Sequence, residues 1–181
     1  MKAKANFFGG ALSIIIAFFF ALFLARSNVP QNIASWTMWA LLDAYIVITC
    51  IASGNKRPWL PLGCMLGACS VVAILFSRGE WKWGYVETIS VLGAGIAFLS
   101  WWRLGPKYAI IAIILAMMIS GIPAVCDAWT ENDPSSWWYW GGSAFCALLS
   151  CYGAKGWTIE ERLFPATSFS FSIFMTVLVL S

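Results

Sequence analysis

Seven apolar runs, each long enough to cross a lipid bilayer, follow one another at 7–26, 33–53, 59–77, 84–102, 108–126, 136–154 and 164–181. A hydrocarbon core about 30 Å thick is spanned by ~20 helical residues rising 1.5 Å each. In that medium a segment must satisfy its own backbone hydrogen bonds, which leaves helices or a closed barrel. Barrel strands would alternate in polarity, and these runs are apolar all round, so the expected elements are helices. The fold class predicted is all-α: an integral membrane bundle of seven transmembrane helices forming one domain over residues 1–181. Charged residues are only 10% of the chain, against about 25% for a soluble protein. Too little charge remains to clothe a water-facing surface.

The breaks between runs carry turn-forming residues: Ser27-Asn28-Val29-Pro30, Gly54 to Pro58, Arg78-Gly79-Glu80, Arg103 to Pro106, Thr130 to Pro134 and Lys155 to Arg162. Lys2 and Lys4 precede the first run in the manner of a signal peptide. The run is longer than a 7–15-residue signal core, and Arg26 follows without a cleavage site, so it reads as a retained span. Lys and Arg in the loops set the orientation. Eight (Lys2, Lys4, Lys56, Arg57, Arg103, Lys107, Lys155, Arg162) fall on the side of the N-terminus, and three (Arg26, Arg78, Lys82) on the other. That places the N-terminus in the cytoplasm and the C-terminus outside, in a plasma (inner) membrane.

The chain also repeats itself. Ser27-Asn28-Val29-Pro30 returns as Ser120-Gly121-Ile122-Pro123, and Ser35-Trp36-x-x-Trp39 returns as Ser136-Trp137-x-x-Trp140. Cys50 returns as Cys151, and Leu60-Pro61 as Phe164-Pro165. The blocks keep their order in two three-span units, 7–77 and 108–181, joined by a connector helix at 84–102. Three spans reverse the side of the chain, so an extra crossing is needed for the second unit to keep the orientation of the first. Parallel repeats of this kind occur among transporters.

With Pro30-Gln31 after the first span of a 3+1+3 layout, the chain resembles the PQ-loop and SWEET-type membrane proteins, which include sugar uniporters and amino-acid exporters. Pro30 followed by Ser35-Trp36-x-x-Trp39, with Pro123, Trp129, Asp133-Pro134, Ser136 and Leu163-Phe164-Pro165 in the second half, is similar to a group of bacterial multi-pass proteins. The resemblance implies an inner-membrane carrier whose prolines act as hinges. Sugar-carrying members place Asn on the third and seventh spans; 59–77 and 164–181 contain none, and the second Gln is replaced by Ala124. Those members are also expected to begin outside the cell, opposite to the orientation given by the charges.

Few residues bear chemistry. There is no His, which removes the commonest general base and metal ligand. No P-loop or H-E-x-x-H pattern occurs, and 164–181 lacks the Lys of a retinal protein. Six Cys (Cys50, Cys64, Cys69, Cys126, Cys146, Cys151) show no C-x-x-C spacing and read as small residues at helix contacts. No cofactor, metal or enzymatic activity is expected, and the net charge of +3 gives no reason for nucleic-acid binding. Asp43 stands at mid-depth in the second span. A carboxylate there costs ~2.5–3.5 kcal/mol on insertion scales, so it is protonated, paired to another helix, or wetted by a pathway. Trp36, Trp39, Trp137 and Trp140 form either an aromatic belt at the headgroups or two walls of a ligand path.

Glu87 and Asp127 lie near span ends and can reach the interface. Pro30 and Pro123 are helix stops or hinges, with a kink expected at Pro123. Ser168 and Ser172 share one face of the last span, either at a helix contact or along a path. The function expected is a small-solute carrier working by alternating access around Asp43 and the Trp pairs. The alternative is a non-transporting scaffold, subunit or assembly factor. The partners are the bilayer and a small polar solute, with self-association left open.

Overall fold

The computed structural model describes residues 2–27, 29, 31–77, 81, 83–131 and 134–181, the side chains of Thr130 and Glu131 excepted. The described residues are almost wholly α-helical. In chain order the helices are α1 (Lys2–Arg26), α2 (Ile33–Ala52), α3 (Trp59–Leu75), α4 (Tyr85–Leu104), α5 (Pro106–Ser120), α6 (Ile122–Glu131), α7 (Trp137–Gly153) and α8 (Ile159–Leu180). A 3₁₀ turn at Pro134–Ser136 leads into α7. Five spans are long and apolar enough to cross a membrane: α1, α2, α4, the α5–α6 pair and α8. Helices α3 and α7 have 17 residues each, about 26 Å of rise.

The ends of these helices follow from local chemistry. Asn32 caps α2, its side-chain oxygen accepting the Ala34 N–H at 3.0 Å. The same helix closes with Gly54 at φ +96°, where the Gly54 and Asn55 N–H groups return to the carbonyls of Ile51 and Cys50. Gly105, also at φ +96°, is the whole connection between α4 and α5. A side chain there would strain the reversal.

Two boundaries differ from expectation. The last span begins at Ile159, five residues before 164, because Glu160 and Glu161 extend the helix in its first turn, where carboxylates suit the helix dipole. Pro165 therefore lies inside α8 and not at its start. The fifth span is broken at Gly121, two residues before Pro123, which becomes the second residue of α6. There its missing N–H costs little.

Counting the α5–α6 pair as one, six of the seven long helical segments among the described residues close into a ring. Helix α3 packs between α1 and α2; α8 packs between α7 and the α5–α6 pair; α1 meets α7, and α2 meets α5. Helix α4 lies outside, mainly against α5. Small residues bring α1 against its neighbours. A Cβ on Gly63 of α3 would overlap the Ser13 hydroxyl and the Gly10 carbonyl, and one on Gly9 would come within 2.7 Å of the Cys146 carbonyl of α7. Bulky aliphatic residues, including Leu42, Ile46, Ile110 and Ile113, fill the space between α2 and α5.

The outer surface is apolar: Phe8 and Phe19 of α1 and Leu92, Ile96 and Phe98 of α4 are exposed. A water-soluble monomer does not present patches of this extent. The exposed Trp residues, among them Trp83, Trp102, Trp129, Trp137 and Trp157, cluster at helix ends. Indole rings settle at that level in a membrane.

Candidate functional site

The six-helix ring lines a partly open cavity of about 120 Å³. Each ring helix contributes to it: Ser13 from α1, Asp43 from α2, Cys64 from α3, Met117 from α5, Ser143 from α7 and Ser168 from α8. Helix α4 adds nothing to the described lining.

Among the described residues, Asp43 is the single acidic or basic residue of that lining. It is 4% exposed, and its Oδ1 has no hydrogen-bond partner among the described residues. A buried polar atom left unsatisfied costs stability, so it marks a place where something other than packing sets the residue. Trp36, Trp39 and Asp43 are three and seven positions apart on α2, hence on one face, and all three line the cavity.

One turn above Asp43 the wall is aromatic. Ring centroids are 5.0 Å apart for Trp36–Trp39, 6.3 Å for Trp39–Trp140, 4.9 Å for Trp140–Tyr139 and 6.0 Å for Tyr139–Trp36, which closes a circuit. Phe171 braces it, 6.3 Å from Trp39 and 5.9 Å from Trp140, edge to face. Trp36 is held by its indole N–H, which donates to Gln31 Oε1 at 2.8 Å. The polar stripe of the last span faces the same space, with Thr167, Ser168 and Ser172 on the wall.

Of the residues singled out from sequence, Asp43, Trp36, Trp39 and Trp140 thus meet at one cavity. Trp137 does not. It is half exposed at the start of α7, outside the lining. Pro123 lies next to the break at Gly121, where a Cβ would come within 2.9 Å of the Phe171 ring. Pro30 lies outside the described residues, as do Arg78, Lys82 and Asp133. Ala144, which the repeat read from the sequence would align with Asp43, is buried and is not part of the described lining.

Tyr139, Phe171 and Phe164 were not singled out. Phe171 and Phe164 lie three and four positions from Ser168, so the helical face of the Ser168–Ser172 stripe contained the signal. Tyr139 carried no such signal beyond adjacency to Trp140.

Glu87 sits in the first turn of α4. It is buried, and its carboxylate accepts from Gly84 N at 2.9 Å, Asn32 Nδ2 at 3.0 Å and Ser35 Oγ at 3.2 Å. The group ties the start of α4 to the start of α2.

Two further pockets flank the cavity. One of about 210 Å³ is lined by Asn6, Lys56, Arg57, Lys155 and Glu161, and another of about 40 Å³ by Gln31, Asp127 and Ser136. The order along the ring axis can be read helix by helix. On α1 the lining passes from Asn6 through Ser13 to Phe20, and on α8 from Glu160 through Ser168 to Val179. On α7 it passes from Ser150 through Ser143 to Ser136, in the reverse sense of the antiparallel helix. Phe164 belongs to both the larger pocket and the cavity; Trp140 belongs to both the cavity and the smaller pocket. The three spaces lie in a row, each neighbouring pair sharing one aromatic side chain in its lining.

Among the described residues no group of His, Cys, Asp and Glu could hold a metal ion. Fold and cavity define the class: an all-helical bundle with several membrane-span candidates around one acidic, aromatic-walled cavity. Compared with protein families, curated proteins and solved structures, the chain matches none.

Proposed function

We propose that the protein is a multi-pass membrane carrier for a small solute, and that the solute occupies the cavity at Asp43. The observation that carries this reading is the axial row of three spaces, with a buried, unpartnered carboxyl in the middle one. A bundle built only to pack or to hold partners gains nothing from that group and would bury an apolar residue there.

In this reading α3 and α7 cross the bilayer as well, giving seven spans. The pocket of Lys56, Arg57 and Lys155 then opens to the cytoplasm under the charge rule. The two three-helix units are a duplication laid out like the PQ-loop and SWEET-type proteins. The helix neighbours support it: in each unit the third span lies between the first two. Exchanging the units also turns the α1–α7 contact into the α2–α5 contact. A small rotation of one unit against the other would open the Phe164 side or the Trp140 side in turn. No chemical step is needed, so the protein is not an enzyme.

The test needs no known substrate. Ser168→Cys, in a background whose six native cysteines are replaced, is treated in vesicles with a small membrane-impermeant thiol reagent added from one side or the other. A carrier gives reaction from both sides. An interior closed to both sides sinks the carrier and leaves the scaffold.

A further inference from the structure

The cavity has a chemistry more specific than "small solute", and the inference drawn from it rests on the carrier reading. We infer that the ligand held at Asp43 is a small organic monocation, a quaternary or protonated amine. Three features converge on it.

The first is charge. The lining holds one acidic residue and, among the described residues, no Lys or Arg. Lys56, Arg57 and Lys155 line the end pocket and not the cavity. A ligand bearing one positive charge supplies the missing partner of the carboxyl, and an anion would have none.

The second is the aromatic wall. Trp36, Trp39, Trp140 and Tyr139 form a circuit on the cavity wall, Trp39 one turn and Trp36 two turns along α2 from Asp43. Cations gather over such faces at about 6 Å or less from the ring centroid, and Trp is the strongest of the aromatic partners. A sugar would call for many hydrogen-bonding groups; the wall offers a few hydroxyls and mostly ring and aliphatic carbon. A bare alkali ion would call for converging oxygen ligands, and Asp43 stands alone among carboxylates there.

The third is size. About 120 Å³ is somewhat less than the ~150 Å³ cavity that takes benzene. The ligand therefore has on the order of five to six non-hydrogen atoms. Tetramethylammonium is of this size, and choline is slightly larger.

The test is calorimetric titration of the full chain in detergent with tetramethylammonium, choline and 3,3-dimethyl-1-butanol, the neutral carbon isostere of choline. The expected result is saturable binding of both cations, with the isostere weaker by about tenfold or more. Asp43→Asn and Trp39→Leu should each weaken the cations to a similar degree while eluting as monodisperse protein. Equal binding of the isostere, undiminished binding by Asp43→Asn, or no binding of either cation overturns the inference. Thiol accessibility at Ser168→Cys separates the two levels. Reaction from both sides with no cation bound removes the substrate class alone, whereas no reaction from either side removes the carrier.

Discussion

Two buried carboxylic residues, Asp43 and Glu87, show how similar side chains are put to different uses by their neighbours. Glu87 accepts three hydrogen bonds, from α4 itself and from two residues at the start of α2. Asp43 is as deeply buried, and no described residue donates to it. The first arrangement is a structural tie. Removing a shared acceptor from buried donors costs about 2–3 kcal/mol. Glu87→Ala should therefore lower the melting midpoint of the purified protein by several degrees, and Glu87→Gln, which keeps one acceptor oxygen, by less. An unchanged midpoint in Glu87→Ala would mean that the start of α2 is held by something else. Asp43 stood out in the sequence because an acid deep in an apolar run must be protonated, paired or wetted. That its Oδ1 has no partner among the described residues came from the structure. The role of Glu87 was not legible, since its partners lie 52 and 55 positions away. The Trp pairs were half legible. Spacing fixes the angle between two residues on a helix but not the rotation of that helix about its axis. Trp36 and Trp39 therefore both face inward, while Trp137 and Trp140, at the same spacing, divide between outside and inside.

Among the helices, the informative contrast is between glycines that another helix needs and glycines that none needs. Gly63 lies where α3 crosses α1, with no room for a Cβ beside Ser13 and Gly10. Gly95 of α4 has nothing within 4 Å of the position of a Cβ. Both are read alike from sequence, as a small residue in an apolar run. Gly63→Ala should separate the helices and cost about 1–3 kcal/mol, as overpacking does. Gly95→Ala should be neutral or stabilise by up to ~1 kcal/mol, the helix propensity of Ala over Gly. Thermal melts of the two variants side by side decide it; equal effects would mean that the α1–α3 crossing is not under steric control. Hydropathy also located the helices better than it located their ends. The polar first turn of α8 was invisible to it, because Glu160 and Glu161 look like loop residues until the helix dipole is considered. The break in the fifth span was placed at Pro123. It falls at Gly121, where Phe171 of α8 packs in a space that has no room for a Cβ.

For the molecule as a whole, the proposed carrier role would have access to Asp43 controlled at two levels along the axis of the ring. Phe164 is almost fully buried and forms part of both the larger end pocket and the cavity. That shared place makes its side chain the candidate partition between them; Leu60 lines the cavity from α3. The two come from the repeated Leu-Pro and Phe-Pro blocks, and the prolines that follow, Pro61 and Pro165, both line the outer pocket. Truncating Phe164 to Ala should join the two spaces into one of at least their combined size while leaving the Trp140 side closed. The change should be seen as an asymmetry. In the cysteine-replaced background, Phe164→Ala should speed the reaction of Ser143→Cys with an impermeant thiol reagent added from the side of Lys56 and Arg57. The rate from the opposite side should be unchanged. Equal acceleration from both sides would show a general loosening of the bundle, as expected from the cavity left by a missing aromatic ring. No acceleration from either side would place the barrier elsewhere on the axis. Because side, residue and direction are all specified, the outcome distinguishes a partition that belongs to the pathway from a Phe that merely fills space.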